Sequence, residues 1–81
     1  SQTRSLREVY HFIRTQLEHL VLFPNSNKYF INILDGNTSY QNMDKFNYLL
    51  NQSQYEFIKH RVFIGDMHNF QHLWTKLNKI V

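Results

Sequence analysis

The stretch Lys28-Tyr29-Phe30-Ile31-Asn32-Ile33-Leu34-Asp35-Gly36-Asn37 decides how this chain folds. It gathers β-favouring residues into one short apolar run and breaks it at a turn signal, as a buried strand does where a helix follows. The same punctuation returns where His60-Arg61-Val62-Phe63-Ile64 runs into Gly65-Asp66 and then into the chain's best amphipathic helix pattern. Two strand-to-helix junctions set the plan. The passage between them predicts a right-handed crossover that lays residues 29–34 parallel to residues 61–64.

Upstream, Ser5-Leu6-Arg7-Glu8 reads as a capping box, in which the hydroxyl takes an orphan amide while Glu8 reaches back. Leu6, Val9, Tyr10, Ile13 and Leu17 then share one helical face, with Phe12 outside the stripe. The apolar run Leu20-Val21-Leu22-Phe23, halted by Pro24-Asn25-Ser26-Asn27, has two readings. Either it forms a hairpin-like pair with residues 28–34, or the first helix continues to Leu22 and Pro24 ends it.

Downstream of Gly36, Thr38 or Ser39 is expected to cap a helix whose apolar members are Met43, Phe46, Leu49 and Leu50. Ser53-Gln54-Tyr55-Glu56 reads as a second capping box opening a short helical turn, before a strand over 61–64 that is buried on both faces. In the last segment Asp66 is the expected N-cap. Met67, Phe70, Leu73, Trp74, Leu77, Ile80 and Val81 form its apolar stripe, with Trp74 as a core anchor.

The fold class read from this order is α/β: a small two- or three-layer domain running helix, (strand), strand, helix, strand, helix. The alternative makes every segment helical, as a five-helix bundle.

At 81 residues the chain is one small domain, which buries only roughly 60–65% of its unfolded surface. Aromatic residues at 16% offset the small size, because each ring buries a large apolar area. The chain has no cysteine, so no disulfide or thiolate zinc cluster supports the fold, and the expected setting is intracellular. No run reaches membrane-spanning length, and Ser1 in place of Met leads to the expectation of a piece excised from a larger protein. A net charge of +3 with scattered basic residues permits an anionic partner without demanding one.

Candidate chemistry falls at the carboxyl ends of the two strands, where open parallel sheets hold ligands. There Asp35, Asn37 and Ser39 would face Asp66 and His68 beside two helix N-termini, a place for a divalent cation or a phosphate. The same residues are ordinary caps and turn formers. His68 and His72 have the i, i+4 spacing of paired zinc ligands, but the glutamate of the metalloprotease motif is absent between them. His72, Lys76 and Lys79 together form a basic helix face that suits an anionic partner. Catalysis by Ser39 would need His68 or His72 brought to it by the fold.

The order strand, Leu34-Asp35, helix, then Val62-Phe63-Ile64-Gly65-Asp66, helix is similar in outline to small regulatory α/β domains of the STAS type. Asp35-Gly36-Asn37 resembles the Asp-x-Asn that ends the first strand of PIN-type nucleases. The Asp-Ser-Ser-Gly of the first family and the further acidic ligands of the second are missing, so no residue role carries over. The expectation is a non-enzymatic protein-interaction or regulatory module of a larger protein, with no cofactor. Nucleic-acid binding through the basic face of the last helix is the alternative.

Overall fold

The computed structural model describes residues 5–80, with side chains as far as Lys76. The elements run α1 (Leu6–Leu22), β1 (Phe30–Ile33), α2 (Gly36–Leu50), β2 (Val62–Gly65) and α3 (Met67–Ile80), with single 3-10 turns at Ser53–Tyr55 and Lys59–Arg61 before β2. β1 and β2 pair in parallel, from Phe30 opposite Val62 to Ile33 opposite Gly65. That pairing excludes the five-helix bundle, and the chain is a mixed helix-and-strand domain. No helix among the described residues is long and apolar enough to cross a membrane.

α1 opens on Ser5, whose hydroxyl accepts the Glu8 N–H at 3.2 Å. The Glu8 carboxylate in turn accepts the Ser5 hydroxyl proton at 3.1 Å. The hairpin reading of residues 20–23 is wrong, because Leu20 stands one turn after Leu17 on the buried stripe and is itself fully buried. The helix closes when the Phe23 N–H bonds the His19 carbonyl at 2.9 Å, and Pro24, which has no N–H to donate, follows.

The cap of α2 is Asp35, not Thr38 or Ser39. Its carboxylate accepts both the Thr38 N–H, at 2.9 Å, and the Thr38 hydroxyl, at 2.7 Å. This ion is a stronger acceptor than a hydroxyl and draws Gly36 and Asn37 into the first turn. The box expected at Ser53 does not form either: the turn closes through the backbone, Tyr55 N–H to Gln52 O at 2.9 Å, while Glu56 pairs with Lys59 at 3.0 Å. Residue 61 belongs to the second 3-10 turn, so β2 begins one residue later than expected and ends at Gly65.

The core lies on one face of the sheet. Ile13, Leu17 and Leu20 of α1 meet Phe46 and Leu49 of α2, Tyr55, Ile58 and Val62, with Phe30, Leu34 and Ile64 packed against them. By strand alternation Ile31, Ile33 and Phe63 point to the opposite face, where Phe70 of α3 meets Phe63 edge-on at 5.8 Å. Trp74 is not a core anchor, since 57% of it is exposed. Two strands span only roughly 10 Å, about one helix diameter, so a single aromatic contact uses up the sheet and leaves Met67 and Trp74 exposed, while Leu77, Ile80 and Val81 of the expected stripe lie outside the described side chains. Gly65 lets α3 start this close: a Cβ there would stand 3.0 Å from Asn69 and from the Phe63 ring.

Two polar contacts fasten the layers. Gln16 of α1 and Asn32 of β1 exchange amide hydrogen bonds at 2.8 and 2.7 Å, and Asn32 also donates to the Phe63 carbonyl at 3.1 Å. Arg61, only 7% exposed, donates to the carbonyls of Lys28 at 3.1 Å, Pro24 at 2.8 Å and Ser26, while the Tyr29 ring stacks on its guanidinium.

Replacing Arg61 with Lys keeps the charge but loses the planar fork, leaving loop carbonyls unmatched. We expect Arg61→Lys to lower unfolding stability in urea by about 2–3 kcal/mol. Tyr55, whose hydroxyl donates to Glu18, titrates above its ordinary value of 10.0 because burial and then the Glu18 contact disfavour the phenolate. Its contribution is therefore complete below pH about 10, where the unfolded tyrosine ionises, and is lost as pH rises through the higher folded value. Tyr55→Phe is expected to cost about 1 kcal/mol at neutral pH and to flatten the alkaline fall in stability measured by the same urea titration.

Candidate functional site

Parallel pairing brings the carboxyl ends of β1 and β2 together, as a shared rim requires. Between Gly36, Ser39 and Met43 of α2 and Asp66 and Asn69 at the start of α3 lies an open cleft of ≈ 570 Å³. Asp66 reaches across to the first turn of α2: a Cβ on Gly36 would stand 3.6 Å from its Oδ2.

Both acids of this rim are engaged with their own helices. Asp35 holds Thr38 through both oxygens, and these bonds to the hydroxyl and the amide keep its carboxyl below the ordinary 3.8. Asp66 accepts the Asn69 N–H at 2.8 Å, and the Asn69 side chain accepts the Asp66 N–H at 3.1 Å, a reciprocal cap. Each junction thus caps one first-turn amide from its own segment, that of Thr38 and that of Asn69.

Of the remaining residues, Asn37 is exposed and Ser39 is buried in the cleft wall. His68 and His72 are exposed on α3, as is Lys76, and Lys79 lies outside the described side chains. Among the described residues no group of three or more His, Cys, Asp or Glu side chains is placed to hold a metal ion. The rim gathers Gly36, Ser39 and Asp66 on one cleft, while Asp35 turns its carboxylate to Thr38 and the histidines face solvent.

Sequence reasoning missed Asn69, although Asp66-x-x-Asn69 has the spacing of a reciprocal cap. It also missed a second concavity on the other side of β1, whose walls are Val9, Phe12 and Gln16 of α1 and residues 31–34. The signal for that one was Phe12, an aromatic residue outside the helical stripe.

Thr38→Val removes the hydroxyl that contributes most to the Asp35 shift. The stabilisation linked to Asp35 is present above its unfolded pKa and is lost as pH falls through the lower folded value. The variant should therefore raise the Asp35 carboxyl titration toward 3.8, followed by carbon NMR, and soften the acid dependence of stability. No family model matches this chain, and neither a curated protein nor a solved structure shows a match to it, so the site is read from its own geometry.

Proposed function

We propose that this chain is a non-enzymatic protein-interaction module that serves a regulatory or assembly role in a larger protein. The observation that carries the reading is the uncovered apolar surface outside the core, where Ile31, Ile33, Met67 and Trp74 are all exposed. Large apolar side chains grouped on one layer mark a contact surface more often than a catalytic one. The engagement of Asp35 and Asp66 as helix caps supports the same reading, because a carboxylate already bonded to its helix is a poorer base or cation ligand. A core that needs no disulfide suits an intracellular setting.

Nucleic-acid binding remains the second reading, favoured by His72 and Lys76 exposed on α3. The two separate by substitution. Trp74→Ser removes an exposed ring and should change stability by less than about 1 kcal/mol, while abolishing stoichiometric capture of a protein partner in a pull-down. Salt-sensitive RNA or DNA binding that Lys76→Glu abolishes and Trp74→Ser spares would replace this proposal with the alternative.

A further inference from the structure

The described residues form a sheet of two strands, so β1 has an outer edge. Which groups occupy that edge follows from two bonds on the inner side: the Leu34 N–H donates to the Gly65 carbonyl at 2.8 Å, and the Lys28 carbonyl accepts from Arg61. Even-numbered residues of this segment therefore turn their backbone toward β2. Tyr29, Ile31 and Ile33 turn theirs outward.

The outward edge is accessible and apolar. Beside it run the concavity between α1 and residues 31–34, ≈ 300 Å³, and its continuation past His19 to Lys28 and Phe30, ≈ 390 Å³. Ile31 is 52% exposed, Ile33 42% and Phe12 45%. Among the devices that keep edge strands from pairing are mid-strand lysine and proline, and the run 29–33 carries neither; the strand itself is short, at four residues. β2 differs, because Val62 and Gly65 at its two ends are buried.

We propose that the β1 edge pairs antiparallel with the β1 edge of a second copy of this chain, about a two-fold axis at Asn32, to make one continuous four-stranded sheet. This rests on the protein-interaction reading and names the partner. Outward-facing residues must meet outward-facing residues, and centring on Asn32 sets Ile31 of each copy opposite Ile33 of the other, where the two exchange both backbone bonds. It stacks the isoleucines as cross-strand pairs on the outer face. Charge selects the direction: Lys28 at the start of the strand then lies beside Asp35 and Gly36 at the end of the other copy's strand, whereas parallel pairing in register would set Lys28 against Lys28. The same patch serves both copies, so the contact closes as a dimer.

Sedimentation equilibrium from micromolar to millimolar protein tests this, with amide exchange followed by NMR. The expected result is a mass rising from 9.9 kDa to twice that value, with the Ile31 and Ile33 amides slowing as the dimer forms. Ile33→Lys, and Ile31→Pro, which removes an outward N–H and no bond to β2, should each weaken association by roughly tenfold or more with the helical circular dichroism retained. If Ile31→Pro disturbs the fold, Ile33→Lys at an exposed side chain carries the test alone. A monomer at every concentration overturns the proposal, as does a dimer indifferent to Ile33→Lys whose Ile31 and Ile33 amides exchange freely. A monomer that binds a different protein along this edge overturns self-pairing and leaves the interaction reading standing; a monomer that binds only nucleic acid ends both.

Discussion

The fold turns on Arg61. Its guanidinium is buried with no carboxylate among the described residues paired to it, an arrangement that would be costly if its donors were idle. They are not, since the carbonyls of Pro24, Ser26 and Lys28 face it from the loop that leaves the C-terminus of α1, and Tyr29 stacks on it. One side chain thus holds the exit of α1, the entry of β1 and the entry of β2 in a single place. Because the Lys28 carbonyl is one of its acceptors, the contact also fixes which backbone groups of β1 turn inward. The parity of the strand, and so the identity of its free edge, follows from it.

That anchoring explains why the molecule is lopsided. With both strand entries held at the end of α1, the inner face of the sheet is drawn onto α1 and α2, and Ile13, Leu17, Leu20, Phe46 and Leu49 close over it completely. Among the described residues the outer face receives α3, through Phe70 on Phe63 and then Trp74 on Phe70 at 6.3 Å. A third strand would widen the platform by roughly 5 Å and give Ile31, Ile33 and Trp74 something to pack on. The exposure of Ile31, Ile33 and Trp74 thus follows from the width of the sheet.

Much of this was legible in the residues. The β-rich runs ending at Leu34-Asp35-Gly36 and Ile64-Gly65-Asp66 gave two strands, their parallel relation and the helices that follow, because short-range punctuation and period survive folding intact. Leu20–Leu22 was ambiguous for a physical reason: a continuous apolar run fits a buried strand or a buried helix end equally, and only its packing beside Leu17 decides. Asp35 was weighed as a ligand and as a cap, and the bonds to Thr38 show which helix it serves. Trp74 misled because a helical stripe records that a face is apolar, not that the rest of the chain is wide enough to cover it. Arg61 and the Gln16–Asn32 pair left no local trace, since each joins residues far apart in sequence.

The two sides of β1 therefore offer different things to a partner. At its carboxyl end Asp35 and Asp66 are each bonded to the first turn of their own helix, so a ligand drawing on those carboxylates would have to displace bonds already made at 2.7 to 2.9 Å. Along its outer edge the backbone of Ile31 and Ile33 is turned to solvent beside apolar side chains. An incoming strand there would exchange water for backbone partners and bury those side chains at the same time, breaking none of the bonds described within the domain. The balance of costs moves the expected contact away from the rim, where topology alone would place it, to the edge that the narrow sheet leaves open.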